Sequence, residues 1–265
     1  MQTIIFFLIS LLGASLLFMV QPMAAKSALP ILGGAPFVWN GCMLFFQALL
    51  LGGYLYAHLL NKALPVRKQP LIHLPLLALA LLAFPIMFEG STQVDAALEP
   101  MLWLLSMLTL SVGLPFFVLC ATSPLSQRWF AAAAPTREPY VLYAASNVGS
   151  FAGLLAYPMI IEPLLPIHSQ ATLLFYGFCI LLALFAAAGF FRLRAPQAQL
   201  KAAISNVPTT ITTRQIIQWI ALAFVPSSLL YGVTAYITTD IASVPLFWVV
   251  PLALYLLTFV IIFSS

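Results

Sequence analysis

Long apolar runs alternate with short polar breaks from one end of the chain to the other. A helix needs about twenty such residues to cross a hydrocarbon core, and on that rule the runs predict eight spans, at roughly 3–25, 37–59, 70–88, 99–122, 139–162, 169–192, 215–237 and 244–263. The runs are continuous instead of alternating, which fits helices and not a barrel of short strands. The predicted class is therefore all-α, a polytopic membrane helical bundle.

The break between the first two spans carries the most information. An apolar helix enters it from Thr3, and Gln21, Pro22 and Lys26 interrupt that helix. Pro30, Gly33, Gly34 and Pro36 predict its end. The segment is also written twice. Ser15-Leu16-Leu17-Phe18-x-Val20 returns as Ser228-Leu229-Leu230-Tyr231-x-Val233, and Pro36-x-x-Trp39 returns as Pro245-x-x-Trp248. The echo pairs span one with span seven and span two with span eight, in the same orientation. A parallel repeat of six helices is the relation between the halves of a major-facilitator-type (MFS-like) bundle. On this reading residues 1–192 form a first six-helix bundle and 193–213 a cytoplasmic linker. Residues 214–265 are then two helices of a second, incomplete repeat, as in a longer protein that has been cut.

Composition strengthens the membrane assignment. Hydrophobic residues make up 63% and charged residues 6% of the chain, with a mean hydropathy of +1.08. Soluble domains carry about 25% charged residues. The formal charge of +4 does not point to nucleic acid, because the basic residues are scattered at helix ends. Lys62, Arg67, Lys68, Arg128, Arg137, Arg192, Arg194, Lys201 and Arg214 fall in connections on one side, and only Lys26 on the other. By the positive-inside rule the first side is cytoplasmic, so both termini face the cytoplasm. The N-terminal run lacks a basic leader and a small-residue cleavage site, so it reads as a retained first helix.

Ionisable and polar residues within spans are expensive and serve as functional candidates. Lys26 leads, with Gln21, Asn40 and Gln47 adding polarity to the first two spans. Lys26 either snorkels to the outer interface, or it pairs with an acid or binds an anionic group in a central cavity, Asp240 being the proposed partner. In span five Tyr143, Ser146, Asn147 and Ser150 recur at helical spacing as one polar stripe, with Gly149 and Gly153 beside it. That stripe fits close helix packing with polar glue or a substrate path. Glu162 reads as solvated, and Asp240 as a helix cap or a cation or proton site. Cys42, Cys120 and Cys179 read as buried thiols that pack as small hydrophobes. His58, His73 and His168 read as interfacial side chains without metal-ligand spacing. No catalytic grouping is present, so the chain is not expected to be an enzyme or to hold a cofactor.

Several blocks carry a resemblance: Gln21-Pro-x-x-x-Lys26, Leu32-Gly-Gly-x-Pro-x-Val-Trp39-Asn40, Phe46-Gln47, Gly53-Tyr54-x-Tyr-Ala-His58, Pro139-Tyr-x-Leu-Tyr-Ala-Ala-Ser-Asn147 and Thr238-Thr-Asp240. In these the chain resembles the membrane part of bacterial multi-pass proteins of the fused MFS-type transporter and spermidine-synthase-like kind. In that family a helical bundle precedes a Rossmann-like domain that would use an adenosyl-type cofactor. No such domain is present in these 265 residues, so its catalytic residues have no counterpart here. The resemblance implies an inner-membrane transporter-like module for a polyamine or related small metabolite. The alternatives are a non-transporting anchor or scaffold for a synthase-like partner, and a truncated fragment that needs missing helices. The expected partners are the lipid bilayer, a small-molecule substrate, and a synthase-like domain or the missing helices.

Overall fold

The structure is a computed structural model that describes residues 2–32, 36–82, 99–134, 140–194, 212–237, 240 and 249–263. The helices are α1 (Gln2–Leu32), α2 (Pro36–Ala63), α3 (Pro70–Leu81), α4 (Pro100–Leu108), α5 (Leu114–Ala133), α6 (Tyr140–Ala156), α7 (Glu162–Leu164), α8 (Ile167–Arg194), α9 (Thr213–Tyr236) and α10 (Val249–Phe263). A π-helical turn, Thr109–Gly113, joins α4 to α5, and a second, Tyr157–Ile161, joins α6 to α7. These elements make eight helical rods. Six are long and apolar enough to cross a membrane, and Pro70–Leu81 and Val249–Ile262 are shorter apolar helices.

Several boundaries differ from those expected, and proline is the common reason. The first helix does not stop near residue 25. It stays helical through Pro22 and Pro30 to Leu32. The fourth span does not end at 122 but continues through Pro124 to Ala133. In an apolar surrounding an unwound backbone has no water to bond, so neighbouring helices hold a proline-containing helix together. Where proline does disturb the helix, the coil widens without breaking. One π turn contains Pro158, and the other ends two residues before Pro115. Proline removes a backbone donor and crowds the carbonyl four residues back. Ser106, Thr109 and Ser111 each donate to the carbonyl four residues earlier, at 2.7 Å, and such back-bonding also bends helices. The expected breaks at Gly33 and Gly34, and the expected linker apart from its first and last residues, lie outside the described residues.

α1 is the axis of the bundle and packs against α2, α5, α6 and α8. Its most extensive contact is with α6, and the reason is steric. Gly149 and Gly153 lie directly on the α1 backbone at Leu11 and Ser15. A methyl at Gly153 would stand 2.8 Å from Ser15 Cα, and one at Gly149 would stand 3.0 Å from the Leu11 carbonyl carbon. Ser15 Oγ donates to the Gly149 carbonyl at 2.9 Å and ties the two helices. Lipid tails are as apolar as leucine, so packing of this kind, with polar bonds across it, drives helices together in a bilayer. α2 meets α5 in the same way, with Gly53 against Phe117 O and Cys120. One apolar core, including Ile9, Val20, Leu104, Phe116, Leu142, Tyr157 and Phe178, runs through α1–α8.

The two helices after the linker behave differently. α10 joins the bundle by setting Val249, Ala253 and Leu256 against Leu154 of α6, with Phe18 of α1 beside them. α9 packs on α10. Thr234 is its only buried residue, and around Gly232 there is open space. A capping box between Thr212 and Gln215 starts the helix.

The two glycine environments predict opposite outcomes. Gly153→Ala is expected to cost about 1–3 kcal/mol through overpacking against Ser15. Gly232→Ala is expected to be neutral or stabilising by up to about 1 kcal/mol, because alanine favours the helix. Thermal unfolding in detergent of both variants checks the contrast.

Candidate functional site

Across a gap from the first bundle, the α9–α10 pair faces α1 and α2. The gap is a cavity of about 260 Å³. Phe18, Gln21 and Ala25 of α1 form one wall, with Trp39, Asn40, Cys42, Met43, Phe46, Gln47 and Leu50 of α2. Ser227, Leu230, Tyr231, Thr234 and Ala235 of α9 form the other, with Leu252 of α10. Asn40 to Leu50 spans about 15 Å at 1.5 Å per residue, about half of a 30 Å hydrocarbon core. The cavity therefore reaches from near the α1–α2 break to the helix midpoints.

Part of the lining falls on the two segments whose sequences echo one another. Phe18 and Tyr231 hold the same place in the two Ser-Leu-Leu-aromatic copies, and Gln21 and Thr234 follow one helical turn later. When the copies are aligned on Pro-x-x-Trp, Met43 matches Leu252. All three pairs line the cavity. Residues of both segments thus line the same cavity.

The eight candidate residues separate into groups. Gln21, Asn40 and Gln47 come together in the cavity. Lys26 lies one residue past the lining and meets Glu162 at the start of α7 in an ion pair. Both partners are partly exposed, at 38% and 29%. The carboxylate that meets Lys26 is thus Glu162, and not the proposed Asp240, and Glu162 is not simply solvated. The close packing of α1 on α6 carries Lys26 and Glu162 to the same end of the bundle, a proximity their separation in sequence hides. Asp240 is exposed beyond the end of α9 and is not among the residues lining the cavity.

Tyr143, Ser146 and Asn147 of α6 do not line the cavity. Beside them Gly149 and Gly153 serve the crossing with α1, so close packing accounts for that part of the stripe. Asn147 is buried, and its Nδ2 has no partner among the described residues.

A second polar cluster lies at the opposite end of α2 from the cavity. Gln69 is fully buried, and its amide is fully used. Its Nε2 donates to Asn61 Oδ1 at 3.0 Å and to the Leu64 carbonyl at 3.1 Å, and its Oε1 accepts from Trp129 Nε1 at 2.8 Å. His73, expected at an interface, is instead fully buried. Its ring packs edge-on against Phe185 at 5.0 Å, and Nδ1 lies 3.4 Å from Tyr56 Oη. Nearby helices add a buried hydroxyl contact, Ser10 Oγ to Ser126 Oγ, at 3.2 Å. The short α2–α3 turn folds this polar sequence back under α5 and α8, so the cluster seals the end away from the cavity. Cys42 and Cys120 are buried as expected, Cys42 against the cavity, and Cys179 is half-buried.

Compared with known proteins, the chain matches no family model, no curated protein and no solved structure.

The two polar features differ in burial, and the difference predicts their weight. Gln69→Leu removes the buried acceptor of Trp129 Nε1 and the donor to Asn61 and is expected to cost roughly 1–3 kcal/mol. Lys26→Ala breaks a partly exposed pair and is expected to cost under about 1 kcal/mol. Parallel thermal melts of the two variants read the difference directly.

Proposed function

We propose that the chain is a transporter-like membrane protein that binds a small solute in the cavity between its two repeated helix pairs. The observation that carries this reading is that positions matched in the sequence echo, Phe18 with Tyr231 and Gln21 with Thr234, line one cavity. Concave, mostly apolar sites with a few convergent polar groups are the usual form of a small-molecule site. Gln21, Asn40 and Gln47 supply both donors and acceptors there. The sealed end, where Gln69 and Trp129 join α2, the α2–α3 turn and α5, would be the closed side of an alternating-access cycle. The cavity end would be the open side. On this reading the protein sits in a bacterial inner membrane, and the positive-inside rule supports the sealed end as the cytoplasmic one.

A second reading is favoured by α9. Its side chains are almost all exposed, including Ile217, Ile220, Leu222, Phe224, Val225 and Leu229. A membrane anchor or scaffold would present such a face without transporting anything.

One experiment separates the two. The purified chain is melted in detergent against a panel of polyamines, amino acids, organic anions and uncharged amides, beside a Gln21→Leu/Gln47→Leu variant. A ligand at one hundred times its Kd stabilises by about 2.7 kcal/mol. The expected result is an upward shift in melting with at least one member, lost in the double variant. Cooperative melting of both proteins with no shift from the whole panel would leave the anchor reading.

A further inference from the structure

The cavity is mostly apolar with several polar groups, yet among the described residues no charged side chain lines it. Its polar groups are the carboxamides of Gln21, Asn40 and Gln47, the hydroxyls of Ser227, Tyr231 and Thr234, and the thiol of Cys42. The sequence extends the point beyond the lining. Residues 27–57 and 215–239 contain no Asp, Glu, Lys, Arg or His, and neither do residues 241–265. Lys26 is the nearest cation in sequence to the α1 wall, and it is neutralised by Glu162. Asp240, the acid nearest the α9 wall in sequence, is exposed outside the lining.

A charged ligand entering this space would leave water without meeting an opposite charge. The effective cost is several kcal/mol per ion even after relaxation. Amides and hydroxyls can satisfy a neutral ligand's hydrogen bonds at far lower cost. Phe18, Trp39, Phe46 and Tyr231 offer ring surface to an apolar or aromatic body. Those same rings could attract a cation, each contact supplying about 2 kcal/mol or more when desolvated, and with no carboxylate beside them this competes with a desolvation cost of several kcal/mol.

We infer that the cavity selects uncharged ligands, compact and in part apolar, with hydrogen-bonding edges such as an amide. Polyamines and organic anions are selected against. The inference rests on the proposed function and narrows its substrate class.

Cys42 makes the cavity's charge preference measurable without knowing the ligand. In a Cys120→Ser/Cys179→Ser background, Cys42 is the one thiol left. It is treated in detergent with three methanethiosulfonates of similar length: neutral 2-hydroxyethyl, cationic 2-(trimethylammonium)ethyl and anionic 2-sulfonatoethyl. Each rate is divided by that reagent's rate with free cysteine methyl ester, and ratios between reagents cancel the reactivity of the Cys42 thiol itself. The expected result is modification by the neutral reagent, with both charged reagents at least tenfold slower after this correction. Gln47→Glu places a carboxylate in the lining. It should raise the ratio of cationic to neutral corrected rates at least tenfold, which separates charge from size. A cationic or anionic rate equal to the neutral one in the parent would overturn the uncharged class while leaving the cavity as a site. So would a ratio of cationic to neutral rates that Gln47→Glu leaves unchanged. Failure of the neutral reagent to reach Cys42 would overturn the cavity as an accessible site, and the proposed function with it.

Discussion

The crossing of α1 and α6 sets the geometry of the rest of the bundle. Two glycines one turn apart let the backbones of the helices touch, and Ser15 hydrogen-bonds across the contact. In lipid there is no hydrophobic gain in pressing one apolar helix against another, so close fit and shared polar bonds decide which helices pair. Because α1 lies so near α6, its remaining faces can reach α2, α5 and α8 as well. The same approach brings Lys26 to Glu162, which a wider crossing would hold apart.

Charge is kept to the margins of this arrangement. Lys26 and Glu162 neutralise each other where both are still partly exposed, and a pair of this kind adds little stability. Its consequence for the cavity is larger than its energy, because a bare ammonium one residue past Ala25 would dominate the field there. What remains in the cavity is a set of neutral dipoles. At the other end most buried polar groups are bonded to one another, while His73 Nε2 has no partner among the described residues. Gln69 uses both ends of its amide, and its geometry fixes how the α2–α3 turn sits on Trp129. The bonds of Gln69 to Asn61, Leu64 and Trp129 favour one arrangement, whereas the loosely packed α9 specifies few contacts of its own.

The two ends of the bundle thus differ in construction. One is tied by amide, indole and ring contacts among α2, α3, α5 and α8. The other is opened by the gap between two helix pairs that share a sequence pattern. α10 is held to α6 by small and branched residues, and α9 is held through α10. A wall attached at one edge can move with less loss of contact than one packed on both faces.

Hydropathy alone determined that the chain is helical and membrane-compatible, and it placed eight rods near their observed positions. Backbone groups in an apolar medium must be satisfied locally, so the length of an apolar run translates almost directly into a helix. Gln21, Asn40 and Gln47 were also legible as a set, since amides within apolar runs stand out wherever they point. Helix ends at proline were not legible, because Pro22 and Pro124 lie in helices packed among neighbours that sequence order does not reveal. Tertiary structure alone decided the partner of Lys26, because Glu162 comes close only through the α1–α6 crossing. It also decided that His73 is buried instead of interfacial, and that Asn147 lies apart from the cavity. A stripe on a helix shows which residues share a face, and only the packing of neighbouring helices shows whether that face meets a cavity or another backbone.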